Sequence, residues 1–178
     1  MSVWRHLRAI ALLPGAAAIL VPLLILNASG TNVGWGLGGA AAALPVLVGA
    51  ALIAAGFSLW LWTVRLLAVV GEGTLAPWDP TLQLVAVGPY GYVRNPMITA
   101  VLAVLAGEAA LFGSPQLLIW CAAFFAINHV FFLLYEEPGM ERRFGAEYRA
   151  YAREVPRWLP RRSQARTSAA SRSGGNTG

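Results

Sequence analysis

The sequence predicts an all-α integral membrane protein: about four transmembrane helices, two of them paired as a helical hairpin, and a cytoplasmic amphipathic helix near the C-terminus. Three observations carry that prediction. The 178-residue chain is 57% hydrophobic and only 12% charged, a composition unlike that of soluble domains. Its apolar residues gather into runs at residues 9–26, 37–67, 97–112 and 116–135, lengths suited to crossing a hydrocarbon core. All 13 basic residues are Arg. In a four-helix arrangement Arg5, Arg8, Arg65, Arg94 and the C-terminal group fall on one side, while the loops near residues 27–36 and 113–115 carry no charge. That bias puts both termini in the cytoplasm. It also accounts for the basic isoelectric point by membrane orientation, with no nucleic-acid partner.

The first run follows Arg5 and Arg8 and contains Pro14 and Pro22, which kink a membrane helix without forbidding it. It is longer than the apolar part of a signal peptide and lacks a clean small-x-small site after it, so it reads as a retained helix. The second run holds Gly49 and Gly56 among many Ala, a small-residue face for close packing. The third and fourth runs are separated only by Gly113-Ser114-Pro115, a turn short enough to make an antiparallel hairpin. The fourth is expected to end on Glu136 and Glu137. Residues 141–151 read as a charged amphipathic helix, and Trp158 as an interfacial anchor. Residues 1–162 form one domain, and 163–178 read as a disordered tail. The lone Cys121 makes neither an intrachain disulfide nor a thiolate cluster, and no metal site is expected.

Two polar stretches interrupt this apolar plan. The decapeptide GPYGYVRNPM spans residues 88–97. Its Pro89 and Pro96 prevent a continuous helix, and Arg94 brings a forked, permanent charge. The other stretch is Tyr135-Glu136-Glu137-Pro138. Both could simply be interfacial loops that end membrane helices. The Arg bias places them on the same side, which points to one shared site. The connection before the decapeptide, from Gly71, is too rich in aromatic and apolar residues for a disordered linker.

The stretches GTLAPWDPTLQLVAVGPYGYVRNPM and LYEEPGMERRFGAEYRAYAREVPRWLP resemble the membrane methyltransferases grouped around isoprenylcysteine carboxyl methyltransferase and phospholipid methyltransferase. The resemblance covers residues 71–160; the first two helices share only their apolar character. It implies S-adenosylmethionine as cofactor, held between the loop, the hairpin and the C-terminal segment. Carried over by position, Leu84, Val85, Tyr90, Asn95, Pro96, Met97 and Ile98 line the cofactor site. Glu136 and Glu137 match the family's Glu pair, and Gly71 and Gly73 match a Gly-x-Gly pattern of the phospholipid enzymes. The carboxyl methyltransferases have His in place of Asn95 and Tyr in place of Ile98. They also carry a substrate-contacting Arg where this chain has Phe132, which lowers the case for prenylcysteine. Asn95-Pro96-Met97 agrees with the phospholipid enzymes.

The residues themselves suit such a donor. Glu136 or Glu137 can accept from its ammonium or ribose hydroxyls in charge-assisted bonds. Arg94 can face its carboxylate, and the ring of Tyr90 its sulfonium. For an amine acceptor, Glu136 or His129 can take the proton. Seven residues separate His129 from Glu136, so a regular helix puts them on one face. Glu108, inside a membrane run, is expected to pair with Gln116 or the Trp120 indole. The function that follows is methyl transfer to a lipophilic acceptor arriving from the bilayer: a phospholipid amine, an isoprenoid-linked carboxylate or a small thiol. The competing class is a non-catalytic membrane scaffold or lipid-binding protein of the same fold. The presence of Arg94, Pro96, Glu136 and Glu137 favours the enzyme.

Overall fold

The structure, a computed structural model, describes residues 11–70 and 83–160. Gly71, Gly73 and the expected disordered tail lie outside the described residues. Among the described residues the chain is helical, without strands. Helix α1 (Val21–Ser29) continues a π-helical stretch, Ala11–Leu20. A 3₁₀ turn, Val33–Gly36, leads to α2 (Ala40–Val69). A second 3₁₀ turn, Gly88–Gly91, precedes α3 (Pro96–Phe112). Then come α4 (Pro115–Phe131), a π-helical turn Phe132–Glu136, and α5 (Glu137–Glu154). Three stretches are long and apolar enough to cross a membrane: Ala16–Gly36, Ala40–Val69 and the continuous Pro115–Glu154, with Pro96–Phe112 as a shorter apolar helix. The apolar part of Pro115–Glu154 ends at Tyr135.

The expected hairpin forms for local reasons. Gly113 closes α3 in the left-handed region, at φ 59°, where glycine is the default residue. Ser114 caps α4 by accepting from the Leu117 N–H at 3.4 Å, and Pro115 takes the first helical position, which needs no N–H. The last carbonyls of α3 have no partner within the helix. The connection between α1 and α2 satisfies two of them: Asn32 N–H donates to Phe112 O at 2.8 Å, and the Trp35 indole donates to Ala110 O at 3.0 Å. A Cβ at Gly113 would collide with the Asn32 carbonyl oxygen.

Pro22 shapes the first segment through the donor it lacks. In a π-helix the carbonyl of Ala17 would seek the N–H five residues on, and Pro22 has none. The Trp120 indole of α4 donates to Ala17 O at 3.0 Å instead. This overturns one expected partner of Glu108. The other, Gln116, accepts from Ser114 Oγ at 3.2 Å. Glu108 Oε2 is buried with no hydrogen-bond partner among the described residues.

Helices α2 and α3 approach until their backbones touch. A Cβ at Gly49 would lie 2.7 Å from Gly107 O and 2.7 Å from Leu111 N; one at Gly56 would lie 2.7 Å from Ala100 O. Gly107 meets Gly49 O reciprocally, also at 2.7 Å. Such approach suits membrane helices, where dispersion between close backbones replaces the hydrophobic effect. Ala is the better helix former by about 1 kcal/mol, but here its methyl would displace backbone, and overpacking costs about 1–3 kcal/mol. Gly49→Ala should therefore destabilise the protein in detergent. Gly139→Ala, at a helical glycine with nothing within 4 Å, should be neutral or stabilising. Denaturant titrations of both purified variants check this; a Gly49→Ala protein as stable as wild type would refute the close packing.

Candidate active site

The fourth apolar run ends at the Glu pair, as the sequence suggested, but the helix does not. It continues through a π-helical turn into α5, and Glu137 N–H bonds to Phe132 O, five residues back. Pro138 accounts for this: it offers no N–H to Leu134, and a single wide turn re-registers the ladder around the missing donor. The wide turn has a consequence for the carboxylates. It inserts one extra residue, so every later side chain lags by about 100°. Glu137, rather than Glu136, comes to the side of His129, and Glu136 stands exposed. The expectation that Glu136 and His129 share a face is corrected accordingly.

Glu137 is the centre of an ion cluster. Arg157 donates to it from two nitrogens, Nε to Oε1 at 2.6 Å and Nη2 to Oε2 at 2.8 Å. Arg94 Nη1 lies 3.1 Å from the same Oε1, and the side chains of Arg94 and Glu137 are only 14% and 20% exposed. Around this cluster the C-terminal segment is fastened at three further points. Arg94 N–H donates to Pro156 O at 2.9 Å. The Tyr151 hydroxyl donates to Tyr90 O at 2.7 Å. The Trp158 indole donates to His129 Nδ1 at 3.0 Å, among the rings of Phe125 and Phe132. The decapeptide, the end of α4 and the C-terminal segment thus meet at one end of the helices.

The electrostatics follow from that packing. Burial alone would raise the Glu137 carboxyl, but the Arg157 hydrogen bonds and the charges of Arg94 and Arg157 outweigh it and hold the group below the usual carboxylate range. Burial pushes the Tyr90 phenol far above its ordinary value, with the Glu136 and Tyr151 charges adding to it. Burial likewise raises Tyr148, although a hydrogen bond with Arg94 works the other way. Both phenols therefore stay neutral.

The remaining residues singled out by sequence are placed as follows. Val85, Tyr90 and Pro96 are buried; Leu84, Asn95, Met97 and Ile98 are half-buried on the loop and the first turn of α3. Asn95 precedes that turn without capping it by its side chain. His129 is half-buried and engaged with Trp158. Among the described residues no hydrogen bond or ion pair to Glu136 is found. Arg157 is the functional candidate that sequence reasoning missed. Its signal was a basic residue between Pro156 and Trp158, next to the presumed interfacial anchor.

Breaking a fully buried ion pair costs about 3–5 kcal/mol. With Glu137 partly exposed, Glu137→Gln should cost about 2 kcal/mol of stability at pH 7. The lowered carboxyl also fixes a sign. Its stabilisation is present above the ordinary value of 4.5 and is lost as pH falls through the lower folded value. Unfolding titrations from pH 7 to pH 3 should show a steeper acid loss in wild type than in Glu137→Gln. Parallel curves would remove Glu137 as a stabilising centre.

Residues 44–147 match the phospholipid methyltransferase family. No curated protein matches the chain, and no solved structure does. The family match begins inside α2, a helix whose likeness the sequence alone had put no higher than its apolar character. It ends before Arg149 and the fastened segment at Pro156–Trp158. It covers more than half of the chain, and it includes the decapeptide and the Glu pair. The chain belongs to the phospholipid methyltransferase family, a family of membrane methyltransferases.

Proposed function

We propose that the protein transfers a methyl group from S-adenosylmethionine to a lipophilic acceptor, at a site facing the cytoplasm. The observation that carries this reading is the convergence of the decapeptide, the π turn and the C-terminal segment on Glu137. Every described arginine, from Arg65 at the end of α2 to Arg157, also belongs to that end of the molecule. The opposite end, at Asn32–Gly36 and Gly113, has no charged residue, and the positive-inside bias then makes the site cytoplasmic.

The residues present fit the donor. Glu136 offers a carboxylate that no described cation neutralises, close enough to Tyr90 for its charge to be felt there; it suits an ammonium or a sulfonium. Arg94 keeps its buried Nε–H without an acceptor among the described residues. The first turn of α3 leaves the N–H groups of Met97 and Ile98 uncapped by Asn95, and these suit a purine edge or a carboxylate. Leu84, Val85, Tyr90 and Pro96 supply the apolar lining, and Gly71 and Gly73 complete the set by family resemblance. The donor brings an already activated methyl group. What the chain provides is orientation and exclusion of water. An amine acceptor must lose a proton, and Glu136 is placed to hold it. His129, engaged with Trp158, positions the C-terminal segment.

In this division of roles the unpaired carboxylate binds the donor and the ion-paired one builds the site. Glu136→Gln should weaken S-adenosylmethionine binding about tenfold, roughly 1.4 kcal/mol, with unfolding unchanged. Calorimetric titration in detergent measures the affinity, and methylation of a lipid extract measures turnover. Wild-type affinity in the Glu136→Gln protein would exclude that carboxylate from the donor site.

A further inference from the structure

Three of the described indoles donate across the fold, and their acceptors differ in kind. Trp35 and Trp120 give their N–H to backbone carbonyls, Ala110 O and Ala17 O, each at 3.0 Å. Trp158 gives its N–H to His129 Nδ1, also at 3.0 Å. A carbonyl accepts at any pH, but an imidazole nitrogen accepts only while it carries no proton. Because an indole N–H can only donate, Nδ1 is bare in this arrangement and the imidazole proton sits on Nε2. Protonation of His129 and the Trp158 bond are therefore mutually exclusive.

The surroundings make Trp158 the part that moves. His129 belongs to the last turn of α4 and stacks on Phe125, with ring centroids 5.7 Å apart and planes at 16°. Trp158 comes from the short segment after α5 and lies against Phe125 and Phe132, with centroids at 5.0 and 5.6 Å. Ring faces can hold an imidazolium, but they do not return to the indole the acceptor it has lost. With two N–H groups facing each other, the indole must turn away. Its chain neighbour Arg157 is the residue that binds Glu137, so the movement reaches the ion cluster.

Nearby charges do not decide this response. Besides His129, α4 carries no charged residue, and α1 has none. Helix α3 has only Glu108, near the Gly113 end. At the His129 end, the π turn brings Tyr135 and Glu136, and the first turn of α5 brings Glu137. The decapeptide brings Arg94, and the C-terminal segment brings Arg157. Tyr90 and Tyr148 are neutral. The two arginines balance the two carboxylates, and the conflict between donors sets the sign.

We propose that His129 and Trp158 form a proton-released latch: the neutral imidazole holds the C-terminal segment against α4, and protonation frees Trp158 and loosens that segment where it meets Glu137. The latch does not depend on the methyltransferase reading, and it operates whether or not the donor is bound.

The test is NMR of the full chain in neutral detergent, isotopically labelled at the histidine and tryptophan ring nitrogens. The chain has two histidines, so His129→Gln assigns both. At about pH 8, His129 should show a bare Nδ1 and a protonated Nε2. Between about pH 8 and pH 5, where imidazoles change charge, it should become an imidazolium. Over the same interval the Trp158 indole should lose about tenfold in exchange protection relative to the Trp35 and Trp120 indoles, whose acceptors do not titrate. His129→Gln keeps an acceptor oxygen and cannot titrate, so the acid loss should vanish. Trp158→Phe keeps a ring beside Phe125 and Phe132 and drops the donor. Its denaturant midpoint should fall less than that of wild type over the same interval, which decides the matter if His129→Gln does not fold. Glu136→Gln should show the full wild-type response. A proton on Nδ1 at the upper pH, or an imidazole still neutral at the lower, would overturn the latch. So would equal losses at all three indoles, a loss that persists in His129→Gln, or equal falls in wild type and Trp158→Phe. A response missing from Glu136→Gln would assign it to that carboxylate and overturn the latch as well.

Discussion

Both oxygens of Glu137 are committed to arginines, and three separate parts of the chain meet there because of it. Arg94 brings the decapeptide, Arg157 brings the C-terminal segment, and Glu137 itself belongs to the continuous helix that begins at Pro115. A carboxylate is the side chain that can do this. It presents two acceptor oxygens in a plane that matches the Arg157 fork, whereas an amide presents one. Its charge also separates two guanidiniums that would otherwise repel each other in a partly dehydrated place. The surrounding contacts, Arg94 N–H to Pro156 O and Trp158 to His129, are ordinary in strength.

That cluster depends in turn on a detail of helix winding. Without the wide turn at Phe132–Glu136, Glu137 would point about 100° away from the side on which His129 meets the C-terminal segment. Pro138 supplies the reason for the turn, and Glu136 is rotated outward as a result. The same event gives the two adjacent carboxylates different environments: one neutralised and fixed, the other exposed and unpaired beside Tyr90.

Much of this was readable from the residues. Gly113-Ser114-Pro115 announced its turn because each residue has one physical reason to be there. The apolar run at residues 97–112 located α3 to within one residue of its start at Pro96, and the Arg distribution marked one end of the bundle as the charged one. The small residues of α2 announced close packing, though not that Gly107 of α3 would be the partner of Gly49. What stayed hidden has a common cause. A π turn adds a single residue, and a 3.6-residue pattern carries no mark of it, so the rotation of the Glu pair could not be read. The Trp120 and Trp35 indoles bond to carbonyls 103 and 75 residues away, pairings that depend on tertiary geometry. Arg157 sits in a short segment with no periodicity, where composition suggested only an interfacial anchor.

The central claim is that Glu137 and Arg157 act as one unit that joins the C-terminal segment to the helices. A double-mutant cycle in unfolding free energy tests it most directly, using Glu137→Gln, Arg157→Gln and the pair together in the same detergent. The account predicts a coupling energy above about 1 kcal/mol, as for residues in direct ionic contact. Single-variant losses that add to within about 0.3–0.5 kcal/mol would contradict it.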